Sequence, residues 1–412
     1  MIDSGDHLMA TDTKLHMKQL TYLLLITQFV WLMSQAGNTK YAIALGLSAV
    51  LLVFGKDKID RKNAFLLLPG AIYVCLGLVS CASSGFFDFY TVKTGFLVTV
   101  SAFSTLILYE KGIDRNVEIS KVVFLAYALF SISRFSYSPP SFIIESTRAF
   151  PYGAFVIYFF IMKDWRFCAL AAVFCTISHK RIALLGVAVV LCLVISAMLL
   201  IKFCRLKMKF LWIVGGVIGV VTAYVLAGMT HTGRLVELFD VIGFDPMGRQ
   251  TIWKVARQFG SFNLFFTGNG LGFVMARLEE MKVWMRDDLW FRNLHSDFYT
   301  GFLELGFIGF GAWVFSYFLS FNRLSQTPEN DAKPQLFALA VIVYTFVLYV
   351  TDNVLIYFEY WFPLSMMLIE IADKNLSKMK KQVLLNTSQH SLTDCPTRRR
   401  RCIVRYGQGS EL

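Results

Sequence analysis

Charge is what this sequence has least of: Asp, Glu, Lys and Arg make up 17% of its 412 residues, against 56% hydrophobic. A soluble domain of this length carries more charge, and its apolar runs are shorter. Paired Cys/His spacing is also missing, which removes a zinc site from the expectations. Five of the eight cysteines (Cys75, Cys81, Cys168, Cys175, Cys192) lie inside apolar runs. The other three (Cys204, Cys395, Cys402) lie in basic segments, so no structural disulfide is expected. The nineteen residues before the first apolar run are polar and no small-residue cleavage site follows them, so no cleavable signal peptide is expected. No internal repeat is visible either, which gives an inverted-repeat transporter no support.

What remains is a succession of apolar runs approaching the ~20 residues that cross a bilayer. We read twelve: 20–34, 41–55, 64–82, 92–109, 117–133, 150–162, 165–177, 182–201, 210–228, 298–320, 335–351 and 354–372. All are expected to be helical, because a backbone facing lipid has to satisfy its own hydrogen bonds. Several are shorter than ~17 residues and borrow flanking residues. Pro69 and Pro363 fall within runs, where a kink is tolerated. The predicted fold class is therefore all-α, a polytopic integral membrane protein of about twelve transmembrane helices with one large external loop.

The basic residues decide orientation. The net charge of +12 suits nucleic acid in principle, but the lysines and arginines cluster in short connections and in the tail, so no nucleic-acid partner is expected. A cytoplasmic start places Lys56, Lys58, Arg61 and Lys62 inside, followed by Lys111 and Arg115, then Lys163. Lys202, Arg205, Lys207 and Lys209 fall inside as well, as do Arg323 and Lys333. This is the distribution that the positive-inside rule gives to cytoplasmic loops, which also meet anionic lipid. Both termini are then cytoplasmic. The expected organisation is 1–19 as an N-terminal segment, 20–228 as spans one to nine, 229–297 as the large external loop, 298–372 as the last three spans and 373–412 as a basic tail.

The external loop holds eight basic and eight acidic residues and is too long for a plain connection. Its tryptophans, phenylalanines and glycines argue against disorder. Within it, Gly268-Asn269-Gly270-Leu271-Gly272 looks like a nucleotide loop, yet no strand precedes it and no βαβ unit is possible. The residues fit a tight turn with positive φ, either purely structural or lining a ligand.

Arg249 opens the loop's central part, and Arg181 follows Ser178-His179-Lys180 at the outer end of a span. A guanidinium forks onto phosphate oxygens and never loses its charge. Arg181, Arg249 and Arg148 are thus candidates for a pyrophosphate clamp, against the plainer reading of snorkelling or ion pairing at the interface. His295, beside Ser296 and Asp297, is a candidate base for a sugar hydroxyl, or else an interfacial histidine bonded to a headgroup or a carbonyl. Glu304 lies inside the following run as a supporting residue, orienting an arginine or capping a close crossing at Gly306, Gly309 and Gly311. Asp352 and Glu359 sit near the last outer turn, within reach of loop arginines.

Taken together, the chain resembles the O-antigen ligase and O-antigen polymerase superfamily of bacterial membrane glycosyltransferases. The resemblance rests on Arg249, Trp253, Gly268/Gly270/Gly272, His295-Ser296 and Glu304-Leu305-Gly306 with Gly309, in that order, together with the upstream Ser178 to Ala183 element. The chain departs from the pattern at two places: two residues separate Ser178 from Arg181, and Ser296 stands where an asparagine is common.

The resemblance implies a GT-C-like fold in the bacterial cytoplasmic (inner) membrane, with the large loop periplasmic. It implies a metal-independent inverting transfer without a cofactor, from a glycan carried on undecaprenyl pyrophosphate. Arg181 and Arg249 would hold the pyrophosphate, with Arg148 and the glycine turn in support, and His295 would be the base. Besides the lipid-linked glycan and membrane lipids, a chain-length regulator and a flippase of the same pathway are implied partners. Polymerase is preferred over ligase. The alternative of another class is a lipid-linked oligosaccharide flippase, which predicts charge spread through span interiors.

Overall fold

The computed structural model describes residues 4–35, 39–54, 59–115, 117–137, 147–204, 208–241, 243, 249–281, 293–326 and 332–374. The Pro139-Pro140 loop through Ser146, Met247-Gly248, Trp284, Trp290 and the tail from Asn375 lie outside them.

Each of the twelve apolar runs lies in a helix. They are α1 (Ser4–Gln35), α2 (Thr39–Phe54), α3 (Leu68–Ser84, led in by a 3-10 turn), α4 (Phe89–Gly112), α5 (Ile119–Tyr137), α6 (Ala149–Met162), α7 (Trp165–Ile177), α8 (Arg181–Cys204) and α9 (Met208–Thr232). The loop region holds α10 (Arg234–Val241), α11 (Arg249–Ala256) and α12 (Phe273–Met281). It is followed by α13 (Asp297–Ser325), α14 (Ala332–Thr351) and α15, residues 358–374. No strand occurs among the described residues.

Six of these segments are long and apolar enough to cross a membrane: Asn63–Ser84, Phe89–Gly112, Arg181–Lys202, Met208–Thr232, Asp297–Ser325 and Ala332–Thr351. The molecule is an all-α, membrane-embedded protein. The hairpin of α6 and α7 is shorter, with helices of 14 and 13 residues. At 1.5 Å per residue each reaches only about 20 Å, less than the ~30 Å hydrocarbon layer. Almost every residue of α6 is buried, so the neighbouring helices surround it.

Pro69 does not kink a span, because it occupies the first turn of α3, where its missing N–H costs nothing. Asp88 starts α4 with a capping box, accepting from Tyr90 and Thr91 N–H.

The two ends of the bundle carry different polar clusters. At one end Lys18 pairs with Asp114 at 2.6 Å, Lys121 with Asp164 at 2.9 Å, and Arg115 with buried Glu110 at 2.9 Å. Lys374 reaches Glu370 at 2.6 Å, and the Asn63 amide donates to Glu110 at 2.6 Å. At the other end Lys40 pairs with Glu359, and Lys180 with Asp352 at 3.1 Å. The alternation of these contacts along the chain follows the ends that the basic-residue pattern assigned.

One predicted span is broken. Within α13, Gly306 has φ 73° and ψ −177°, which interrupts the helix. The backbone groups released by the break are taken up by the loop. Asn269 N–H donates to Leu303 O and Gly270 N–H to Glu304 O, both at 3.0 Å, while Phe307 N–H donates to Phe266 O at 2.7 Å. Irregular backbone at membrane depth persists only where protein satisfies it, and here the glycine turn does so.

Gly268 and Gly306 cross backbone to backbone. A Cβ on Gly306 would sit 2.3 Å from the Thr267 carbonyl carbon, and one on Gly268 would sit 2.5 Å from Glu304 O. Both also have positive φ, so a side chain is excluded twice over. Gly306→Ala is therefore expected to lower the thermal midpoint and the yield of folded protein, at a cost above ~1 kcal/mol. Gly309→Ala has its nearest neighbour at 3.1 Å on a side chain and is expected to cost less. Equal melting of the two variants in detergent would contradict the crossing.

Candidate functional site at the outer end of the bundle

The site is built on α11. Arg249 and Trp253 are four residues apart and share one helix face. Trp253 is fully buried, and its indole N–H donates to Leu294 O at 2.7 Å. That bond ties α11 to the strand-like approach to α13 and brings Arg249, one turn earlier, alongside His295. Arg249 is 8% exposed, which is low for a permanently charged group.

His295 is held from both sides. Ser296 caps α13 by accepting from Tyr299 N–H, and Asp297 Oδ2 accepts from Leu355 N–H at 2.7 Å. His295 itself has φ 52°, a left-handed conformation uncommon for a side-chain-bearing residue, maintained by these flanking contacts. The Asn353 side-chain amide lies 3.4 Å from its Nδ1.

The electrostatics follow from this placement. Burial pushes the His295 pKa below its ordinary 6.5; Asp352 works against the shift, while Arg249 and Lys180 add to it. The neutral imidazole is thus favoured near neutrality, which is the form a base requires. Asp352, 2% exposed, bonds Lys180 at 3.1 Å, the Tyr357 hydroxyl at 3.2 Å and its neighbour's Asn353 N–H at 3.1 Å. A cation pair, a neutral histidine and a fixed carboxylate therefore share one end of the bundle. Such a set can bind a polyanion, take up a proton and stabilise the imidazolium that results.

Trp253 offers a local test. Trp253→Phe keeps the ring but removes the donor to Leu294. It is expected to cost about 1 kcal/mol of stability and to release the His295 approach. Activity should then fall by more than the folded fraction does. A proportional fall in both would make Trp253 a packing residue alone.

Of the residues singled out in the sequence, Arg249 and His295 come together. Neither Arg181 nor Arg148 figures among the charges acting on His295. Arg181 is the exposed first residue of α8, and Arg148 lies over the Phe130 ring, 4.8 Å from its centre. Lys180 occupies the position expected of Arg181. The reason is a single left-handed residue, His179 with φ 49°, which turns the chain between α7 and α8 and points Lys180 at Asp352.

Gly268, Gly270 and Gly272 pack against protein. Substituent atoms there would meet the α13 break, Cys81 of α3 and the Tyr90 carbonyl of α4 respectively. Of the two readings of the turn, the contacts are those of the structural one. Glu304, 1% exposed, accepts from the Tyr73 hydroxyl at 2.9 Å and faces the Gly272 and Val274 N–H groups at the start of α12. It fastens the glycine turn and orients no arginine among its described contacts. Asp352 pairs with Lys180 and Glu359 with Lys40. Asn353 and Tyr357 gave no sequence signal; an Asp-Asn pair closing an outer turn opposite a histidine is visible only in three dimensions.

No family model matches the chain, and comparison with curated proteins and with solved structures returns no match.

Proposed function

We propose that this protein is a membrane glycosyltransferase that polymerises undecaprenyl-pyrophosphate-linked oligosaccharide repeat units at the outer face of the bacterial cytoplasmic membrane. In this reading the chain crosses twelve times in a GT-C-like arrangement, with both termini inside. The observation that carries the reading is the meeting of Arg249 and Lys180 with a neutral-leaning His295.

In the proposed reaction Arg249 and Lys180 hold the pyrophosphate of the donor, with Arg181 at the exposed rim. An acceptor sugar hydroxyl attacks the anomeric carbon from the opposite side. The new C–O bond forms as the bond from the anomeric carbon to the pyrophosphate oxygen breaks, and the bonding pair leaves on that oxygen. The two cations stabilise the growing charge. The hydroxyl proton passes to His295 Nε2. Asn353, turned with its amide oxygen towards an Nδ1–H, fixes the tautomer whose Nε2 carries the free lone pair. Asp352 then stabilises the imidazolium.

This assignment makes a pH prediction whose sign can be worked out. The base works only when neutral, and its pKa lies below 6.5. Activity should therefore rise with pH through a midpoint below 6.5 and be level above it. Lys180→Met removes a cation that opposes protonation, so it should move the acid limb to higher pH. Asp352→Asn removes an anion that favours protonation and should move it lower. Shifts in the same direction for both variants would rule out His295 as the titrating group.

A further inference from the structure

At the end of the bundle opposite His295, a groove of about 1200 Å³ opens between α8, α9, α13 and α14. Ile213, Val217, Phe315 and Phe318 form its apolar walls, and its mouth carries Lys209, Asn322 and Gln335. Trp212 lies between mouth and walls. It is 5% exposed, and its indole N–H has no hydrogen-bond partner. A buried donor left without an acceptor is costly, and a membrane offers such a group acceptors only on lipid headgroups and ester linkages.

The order of chemistry along α9 matches the depth profile of a phospholipid. Lys209 stands first, at the level where a phosphate would lie. Trp212 follows three residues, about 4.5 Å, further in, at the level of the glycerol esters. Ile213 and Val217 come next, level with the acyl chains. Tryptophan at the interface and lysine at an anionic headgroup are the expected partners of those layers.

We propose that this groove is a binding site for an anionic glycerophospholipid of the inner leaflet, with the phosphate on Lys209, an ester oxygen facing the Trp212 N–H and one acyl chain along Phe315 and Phe318. The site is independent of the reading of the outer end. Charge complementarity at the mouth selects the anionic headgroup, and a zwitterionic lipid lacks the net charge to reward Lys209.

Tryptophan quenching tests this. The full chain is placed in phosphatidylcholine vesicles doped either with acyl-brominated phosphatidylglycerol or with acyl-brominated phosphatidylcholine. The expected result is stronger quenching by the brominated phosphatidylglycerol, with the excess lost in Trp212→Phe. In Lys209→Gln the preference should drop about five-fold, the share of one lysine near an anionic surface. Equal quenching by both lipids would mean ordinary boundary lipid and overturn the site. An excess that survives Trp212→Phe would place the lipid elsewhere. A Lys209→Cys variant that crosslinks chain to chain and abolishes the lipid effect would give the groove to a second copy instead.

Discussion

His295→Ala is expected to reduce polymer formation about 100- to 10,000-fold, the range that a positioned base contributes. The variant should still insert and still bind lipid pyrophosphate. Its side chain is not what joins α11 to α13; that task falls to the Trp253–Leu294 bond, the Ser296 cap and the Asp297–Leu355 contact. Removing the imidazole also relieves a residue with φ 52°, so folding has little to lose. Wild-type chain lengths from this variant would remove the base from the proposed mechanism. Loss of insertion would make His295 a structural residue.

Arg249→Lys is expected to lower the rate about 100- to 1,000-fold, as the loss of a preorganised donor to a developing anion does. The substitution keeps a positive charge beside His295, so the acid limb of the pH profile should stay in place. What it loses is the planar fork that takes two phosphate oxygens at once. Rate and pH profile thus separate two roles of one residue. Full activity in Arg249→Lys would argue for a mere field effect. A collapse in rate together with a shifted acid limb would argue that α11 has moved.

Much of the architecture was legible because bilayer physics leaves few choices. Apolar runs have to be helical, and all twelve lie in helices. The convergence of Arg249 and His295, 46 positions apart by number, was legible only as an expectation. It is realised through Trp253, whose indole seeks a buried acceptor. Other features were hidden for physical reasons. The exchange of Arg181 for Lys180 hangs on one backbone torsion at His179. The break at Gly306 reads in sequence as a small residue in a close helix crossing. It is a break because loop residues Phe266, Asn269 and Gly270 supply its hydrogen bonds, and pairing so distant leaves no local pattern. For the same reason the glycine turn, which looked equally suited to lining a ligand, is fitted to Gly306, Cys81 and Tyr90. Asp352 was placed at the right end of the bundle, but its engagement with Lys180 and Tyr357 could be read only from the fold.

The central claim is that this chain joins lipid-linked repeat units, and reconstitution tests it most directly. The full-length protein is placed in vesicles with an undecaprenyl-pyrophosphate-linked oligosaccharide as donor and acceptor, and the products are separated on a gel. The account predicts a ladder of repeat lengths, with one undecaprenyl pyrophosphate released for each bond formed and no ladder from His295→Ala. Unchanged single repeats that have moved across the bilayer would contradict it and identify a flippase, and transfer that occurs only when a lipid A core is supplied would identify a ligase.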